Sequence, residues 1–294
     1  MYTHLVLGGG GVKGCVLTGA LEAMDKLFNI NRIKYIIGSS AGGVIGYLLA
    51  LNFTPQEMST IFLNINLIDY REIKVSNLIK KYGVDDGKRI IRLIKSIIIQ
   101  KYDRYDFTFS QLYNLTGKTL ILTGSNISKN KIVYFSRNKF PNMNVLDALR
   151  ITICYPILYQ PIILNNEYYI DGAALNNYPM NYFKNVKRKI GVCLETKIED
   201  NENKHDISNL LNYSGAVIFS IVDSYNYLKR NKYKKDTILV KLPRIHALDY
   251  GISYRTKLEL RNIGYNTALK YLENIIFTFN KKRLLRKNFN KLKI

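Results

Sequence analysis

The sequence predicts an α/β fold with a parallel sheet, and three observations lead to this prediction. Short apolar runs alternate with helix-like stretches, glycine-rich turns follow the first two apolar runs, and the second helical stretch is almost wholly apolar. A strand–turn–helix–strand–turn–helix order implies a right-handed parallel unit. Both glycine turns then lie at the carboxyl ends of strands, where α/β sheets bind ligands.

The remaining elements follow from hydrophobic periodicity and turn signals. Strands are predicted at 2–7, 34–37, 118–125, 131–136, 168–170, 189–195 and 237–242. Helices are predicted at 14–28, 41–51, after a capping box at 54–57, and at 85–101, 144–151, 207–228 and 254–277. Residues 66–110 are expected to form a cap or insertion over the site. The simplest division is one domain, 1–280, followed by a basic tail, 281–294.

Composition narrows the classes of protein to consider. Hydrophobic residues make up 47% of the 294, which supports a substantial core and argues against global disorder. The net charge of +22 favours an anionic partner, although a codon bias toward lysine would produce the same excess. The three cysteines are sparse and unclustered, which argues against a disulfide framework and against a metal site. No signal peptide or transmembrane helix is recognised, so we expect an intracellular protein, soluble or peripherally membrane-associated.

The second glycine turn, Gly38-Ser39-Ser40-Ala41-Gly42, fits a G-x-S-x-G nucleophile elbow. A serine on a tight strand-to-helix turn projects its hydroxyl out of the sheet, and only small neighbours let the turn close. The Ala41 N–H, at a helix N-terminus, can face a developing negative charge. The motif alone is a weak signal, but its place between a buried strand and an apolar helix favours a nucleophile at Ser40.

The first glycine turn has two interpretations, and its glycines are Gly9, Gly10, Gly11 and Gly14. The Gly-x-Gly-x-x-Gly spacing matches a dinucleotide fingerprint, which expects an acidic residue at the end of the second strand. That strand runs into Ser39 and Ser40 instead, which weakens the nucleotide interpretation. The turn is better explained as an oxyanion cradle formed by the Gly10 and Gly11 N–H groups. Lys13 either adds positive charge there or lies in solvent.

A serine is a poor nucleophile until another group takes its proton. The chain has only three histidines, and none lies in a recognisable motif: His4, His205 and His246. Asp171 does lie in one, at the end of a predicted strand and followed by Gly172 and Ala173. Asp-Gly is also a common turn pair, so this motif in isolation has a purely structural interpretation as well.

Together, these motifs resemble those of the patatin-like phospholipase family. The matching stretches are the glycine turn at 9–14, the elbow at 38–42 and the triplet at 171–173, supported by Pro156, Pro161, Asn177 and Pro179. The similarity runs from His4 to Glu195 and more weakly to about residue 275. It implies a three-layer α/β/α sandwich with a mostly parallel central sheet. It also implies phospholipids or other acyl-ester lipids as substrates, with no metal or other cofactor.

The resemblance further implies a Ser-Asp dyad. Ser40 would attack the ester and form an acyl-enzyme, Asp171 would accept the serine proton, and the Gly9–Gly14 loop would hold the oxyanion. Two alternatives stay open. One is an α/β hydrolase with a triad of Ser40, Asp171 and either His205 or His246. The other is a non-catalytic lipid-binding protein on the same fold.

The tail from Lys281 onward alternates basic residues with leucines and Phe289, and no acidic residue interrupts it. A basic amphipathic helix can lie on an anionic membrane surface. A frayed, solvated terminus is the competing interpretation. Nucleic acid is not expected as a partner, because no nucleic-acid-binding signature accompanies the tail.

Overall fold

The computed structural model of the chain describes residues 2–196, 232–243 and 249–291, with positions 213, 214, 216, 217, 220, 221 and 224. His205 and His246 lie outside the described residues, as does most of the helix predicted at 207–228.

Strands of the described chain form one eight-stranded sheet and one separate pair. The strands are β1 (His4–Leu7), β2 (Tyr35–Gly38), β3 (Gly83–Asp85), β4 (Thr119–Asn126), β5 (Lys131–Ser136), β6 (Ile157–Tyr159), β7 (Ile162–Leu164), β8 (Glu167–Asp171), β9 (Lys189–Thr196) and β10 (Thr237–Leu242). Neighbouring strands of the large sheet follow the order β10-β9-β1-β2-β4, and all of these pairs are parallel. Strands β5, β8 and β7 extend the sheet with antiparallel pairs, while β3 and β6 pair separately.

Helices cover this sheet and build the surroundings of the site. They are α1 (Gly14–Leu27), α2 (Ala41–Ala50), α3 (Pro55–Asn64), α4 (Asn77–Lys81), α5 (Lys88–Tyr102), α6 (Phe109–Thr116), α7 (Val145–Thr152), α8 (Ala173–Asn176) and α9 (Tyr254–Lys291). Helix α3 begins with the predicted capping box, in which Thr54 and Glu57 each bind the other's backbone N–H. Among the described residues, no helix combines the length and apolarity needed to cross a bilayer.

Both faces of the central strands are buried, because alternate residues point into different hydrophobic clusters. Leu5 and Leu7 of β1 pack into the larger cluster, with side chains of α1, α2 and α9. Val6 lies in a second cluster with Tyr178 and Met180. A parallel sheet buried on both faces is typical of α/β proteins. The expected sandwich, with a mostly parallel sheet between covering layers, is confirmed.

Strand β4 brings the two strand ends of interest together. Residues 121–126 of β4 pair with β5 along one edge. Strands β2 and β8 must therefore share the opposite edge, where β2 pairs with residues 119–122 and β8 with 124–126. Gly38 of β2 lies opposite Leu122, and Asp171 of β8 lies opposite Gly124. The ends of β2 and β8 consequently meet on one edge of one strand.

Two of the described helices differ from their predicted bounds by more than one residue. The helix predicted from Asp85 begins at Lys88, because Gly87 adopts a left-handed φ of 69° that ends β3 in a tight turn. The buried Asp85 carboxylate closes this turn by accepting the Gly87 N–H at 2.7 Å. Helix α9 continues past residue 277, with its backbone described to Lys291 and its side chains to Lys281. The boundary at 280/281 and the character of the tail stay predictions.

Candidate active site

Ser40 lies on a strained turn between β2 and α2. Its φ of 53° and ψ of −128° place a non-glycine residue in a sparsely populated backbone region. A Cβ on Gly42 would lie 2.5 Å from the carbonyl oxygens of both Leu7 and Gly8, so this position admits only glycine. Gly38 is similarly restricted, since its Cβ would lie 2.3 Å from the Gly42 oxygen. The glycines therefore let the elbow close against the end of β1.

The elbow is also held from α7. The Ser40 N–H donates a 3.2 Å hydrogen bond to Oγ1 of Thr152, and Ala41 begins α2 directly after it. Thr152 is fully buried. The sequence contained no signal for this contact, because it joins residues that are far apart in the chain.

Asp171 ends β8 with its carboxyl group almost completely buried. Its Oδ1 accepts the N–H of Ala173 at 2.8 Å, which fixes the carboxyl against the start of α8. Gly172 lets the chain turn here, because a Cβ would lie 2.0 Å from Oγ1 of Thr123. The triplet at 171–173 is therefore a strand-to-helix turn packed on β4.

Burial raises the pKa of the Asp171 carboxyl to about 7, although the Ala173 N–H and the Ser40 hydroxyl each lower it. The Ser40 hydroxyl is thus close enough to influence the carboxyl. No described residue makes a hydrogen bond to Oδ2 of Asp171. Catalytic hydrogen bonds often tighten only when substrate binds. The arrangement places a serine hydroxyl near a buried carboxyl group whose pKa lies near neutrality.

The first glycine turn lies directly against Ser40. A Cβ on Gly9 would be 2.9 Å from Cβ of Ser40. The Gly9 N–H donates to Oδ1 of Asn177 at 2.9 Å, which anchors the turn from the segment after α8. The N–H groups of Gly10 and Gly11 make no hydrogen bond to any described residue. Gly14 ends the turn and begins α1.

Two buried lysines also belong to the site. Lys13 is 4% exposed, so the alternative of a solvated lysine is wrong. Lys257 of α9 is 7% exposed and donates to the carbonyl of Ile65, where α3 ends. Burial lowers the pKa of Lys257. Lys257 was not found from the sequence, because nothing local distinguishes it from the other lysines.

A pocket of about 200 Å³ opens at these groups. Its polar end contains Gly9, Gly10 and Gly11 of the first glycine turn with Ser40 and Asp171, and Lys13 and Lys257 also line the pocket. The rest is apolar and is lined mainly by α2, α3 and α5: Val44, Leu48, Ile61, Phe62, Ile65, Ile90, Leu93, Ile94 and Ile97. Helix α5 lies within the segment 66–110, so the expected cover over the site is present. The shape suits an apolar chain that ends at a reactive polar group.

Some of the candidate residues predicted from the sequence share the pocket, and His4 does not. The structure brings Ser40, Asp171 and the first glycine turn into one pocket. His4 does not reach it: the ring stacks on Tyr35 with centroids 4.4 Å apart and packs edge-on against Phe183.

Fold and site together define an α/β protein with a serine elbow, a strand-end aspartate and a glycine turn around one apolar pocket. A family model for patatin-like phospholipase matches residues 5–184. The chain belongs to the patatin-like phospholipase family.

Two relatives show how far the similarity extends. A protein of invertebrate iridescent virus 6 described as a probable lipid hydrolase is 34% identical over 199 residues, covering 64% of this chain and 66% of the relative. An uncharacterized protein of Acanthamoeba polyphaga mimivirus is 26% identical and covers 93% of this chain and 94% of its own length. The chain thus spans about two thirds of one relative and nearly all of the other.

Solved structures support the fold. VipD from Legionella pneumophila superposes with a TM-score of 0.64 at 15% identity. The match covers 93% of this chain and 67% of VipD. At this identity, the similarity concerns the fold alone.

Proposed function

We propose that the protein hydrolyses fatty-acyl esters of membrane phospholipids through a dyad of Ser40 and Asp171. The observation that carries the proposal is the position of Ser40, on a strained elbow beside a buried carboxyl at the polar end of an apolar pocket. Family membership supports a lipid substrate.

The first half of the reaction forms an acyl-enzyme. Oγ of Ser40 attacks the ester carbonyl carbon while the Asp171 carboxylate accepts the hydroxyl proton. Negative charge develops on the carbonyl oxygen, and the N–H groups of Gly10 and Gly11 stabilise it. The carbon–oxygen bond to the lysophospholipid then breaks, and Asp171 returns the proton to the leaving oxygen.

The second half releases the fatty acid. A water molecule gives a proton to Asp171 and attacks the acyl carbonyl. The ester bond to Ser40 breaks, and the serine oxygen regains the proton. A pKa of about 7 suits a group that both accepts and donates a proton near neutrality.

A membrane partner is part of the proposal. The net charge of +22 and the basic residues from Lys281 onward would attract an anionic surface. Removal of residues 281–294 should weaken binding to anionic vesicles more than binding to neutral ones, and the difference should shrink at high salt. Equal binding by the truncated chain would remove the tail from the proposal.

Labelling with a fluorophosphonate probe tests the nucleophile. Ser40→Ala should abolish labelling and lower kcat for phospholipid vesicles by at least about a thousandfold. Ser39→Ala is the matched control, because Ser39 precedes Ser40 in the elbow and its buried hydroxyl has no hydrogen-bond partner among the described residues. Full activity in Ser40→Ala would overturn the proposal.

Two further variants separate the dyad from its alternatives. Asp171→Asn should lose fatty-acid release, whereas the double variant His205→Ala/His246→Ala should keep it. Loss of activity in the histidine variant would favour a triad. Vesicle binding by the wild-type protein without hydrolysis would favour a non-catalytic lipid-binding protein.

A further inference from the structure

The segment between α3 and α5 exposes several large apolar side chains. Ile79 is 87% exposed, the highest value for a large apolar side chain among the described residues. Val75 and Tyr82 are 65% and 63% exposed. Val75 lies two residues before α4 and Tyr82 directly follows it, so the three exposed side chains belong to one short segment around this five-residue helix.

The β7–β8 hairpin continues this surface. The rings of Tyr82 and Tyr168 are in edge-on contact, with centroids 6.5 Å apart. Ile163 is the cross-strand partner of Tyr168, and both are exposed. We call these five side chains the apolar patch: Val75, Ile79, Tyr82, Ile163 and Tyr168.

The backbone at Tyr82 is itself unusual. Tyr82 has a φ of 61°, a left-handed conformation that is strained for a bulky residue and that glycine adopts freely. An exposed tyrosine at such a position gains only one ring contact within the described residues. Contact with another molecule would explain why a tyrosine occupies this position.

Two lysines lie next to Ile79 in the patch. Lys80 and Lys81 are exposed, and neither forms an ion pair with a described residue. The neighbouring acidic groups are already paired: Glu72 with Lys74 and Arg89, Asp86 with Lys88, and Glu167 with Lys129. The unpaired charge beside the apolar patch is therefore positive.

One layer of side chains separates the patch from the pocket. Leu78, on the inner side of α4, packs against the cluster of Val84, Cys154, Leu158 and Tyr159. The same cluster contacts Ile90, Tyr155 and Tyr250, which line the pocket.

We propose that the apolar patch, with Lys80 and Lys81, is the surface by which the protein lies on an anionic lipid bilayer. Apolar side chains enter the acyl region while the lysines bind anionic headgroups. Five side chains are too few for a stable protein interface, which takes about 20–30 residues on each side. The proposal rests on the lipid hydrolysis proposed above, since a bilayer supplies the substrate to the adjacent pocket.

Fluorescence tests the contact directly, because the chain contains no tryptophan. Ile79→Trp introduces a single fluorophore at the centre of the patch. Vesicles of equal parts phosphatidylcholine and phosphatidylserine should shift its emission to the blue, and brominated lipids should quench it. Leu115→Trp, at an exposed apolar position on α6, is the matched control and should show neither effect. Unchanged emission of Ile79→Trp on bound protein would overturn the proposal.

Binding measurements add a second test. The variant Ile79→Gln/Tyr82→Asn keeps residues that suit a helix and a left-handed turn, and it should bind these vesicles about tenfold more weakly. Leu115→Gln/Ile99→Gln should bind like wild type. Lys80→Glu/Lys81→Glu should bind anionic vesicles about tenfold more weakly and pure phosphatidylcholine vesicles almost as well as wild type. The charge-matched control Lys131→Glu/Lys139→Glu should not show this selective loss of affinity. Wild-type binding by the patch variants would overturn the proposal.

Hydrolysis of water-soluble p-nitrophenyl butyrate separates this proposal from the proposed function. The patch variants should hydrolyse this ester at the wild-type rate and lose activity only on vesicles. A wild-type protein inactive on both substrates contradicts the proposed function, while the binding results still decide the docking surface. A patch variant that converts a dimer to a monomer in sedimentation, with vesicle binding unchanged, would assign the patch to a second copy of the chain and overturn the proposal.

Discussion

Oγ1 of Thr152 accepts a 3.2 Å hydrogen bond from the backbone N–H of Ser40. Two residues later, the carbonyl of Cys154 accepts a 2.8 Å bond from the N–H of Asp171. The end of α7 therefore contacts the backbones of both proposed dyad residues. Their relative position depends on a segment that supplies no reacting group.

Thr152→Val should disturb the elbow while keeping the shape of the side chain. The partly buried Ser40 N–H would lose its acceptor, and an unsatisfied donor costs at most about 1–3 kcal/mol when it is fully buried. We expect the free energy of unfolding to fall by at most that amount and kcat to fall about tenfold. Denaturant unfolding measures the change in the free energy of unfolding. The rate of fluorophosphonate labelling, compared with wild type, reports the loss of reactivity at Ser40.

Thr123→Val is the matched control for this substitution. Thr123 is also buried in the sheet, but its hydroxyl has no hydrogen-bond partner among the described residues. Its replacement should leave stability unchanged or raise it slightly. Equal losses in the two valine variants would contradict a specific role for the Thr152 bond.

The pH dependence of the reaction should follow Asp171. Only the ionised carboxyl can accept the serine proton, and burial raises its pKa to about 7. We expect kcat/KM for p-nitrophenyl butyrate to rise about tenfold per pH unit below this value and to level off above it. The histidine double variant should keep the same profile. An inflection near pH 4, typical of an exposed carboxyl, would contradict the prediction.

Asp171→Asn should stabilise the folded protein at neutral and alkaline pH. The folded chain binds the Asp171 proton more tightly than the unfolded chain does, because burial raises the pKa from 3.8 to about 7. The wild-type protein therefore loses stability as the pH rises through this range, whereas the asparagine variant does not. The difference should reach at most about 4 kcal/mol above pH 7 and vanish near pH 4. Thermal unfolding across pH measures it.

Asp103→Asn provides the reference for that comparison. Asp103 is exposed and lies in a left-handed turn, a conformation that asparagine also tolerates. This variant reports the effect of an aspartate-to-asparagine change at an exposed position. A stability gain in Asp171→Asn that is independent of pH would argue against ionisation as its cause.

Ile94→Phe should shorten the acyl chain that the pocket accepts. Ile94 is a buried residue of α5 that lines the pocket. We expect the ratio of kcat/KM for octanoyl over butyryl esters to fall about tenfold, since each methylene bound contributes about 1 kcal/mol or more. Ile98→Phe, in the core on the same helix, should lower stability without changing this ratio. An equal octanoyl-to-butyryl ratio of kcat/KM in both variants would show that the acyl chain does not bind against Ile94.

The sequence predicted the parts of the site that depend on local backbone geometry. Glycines at 38 and 42 mark a turn that only small residues can make, and Gly172 marks a strand end packed on Thr123. Such signals are visible because the constraint acts within a few residues. The contacts made by Thr152 and Lys257 could not be predicted in this way, since each depends on a partner brought close only by the fold.

The segment around Asp85 shows that a secondary-structure element can also depend on a partner distant in the sequence. Its sequence suggests a helix start, but Val84 and its neighbours pair with β6, which lies about 70 residues further along the chain. The apolar periodicity of α5 predicted that helix correctly, and the strand before it was missed. A three-residue strand has too little periodicity to be recognised without its partner.

The shared edge of β4 also has a consequence for when the proposed dyad can form. Ser40 and Asp171 are more than 130 residues apart in the chain, and each is placed by a strand that pairs with β4. A chain emerging during synthesis contains the serine elbow long before it contains the carboxylate. The proposed dyad forms only after β8 has joined β4, so a nascent or partly folded chain carries Ser40 without the carboxylate proposed to take its proton.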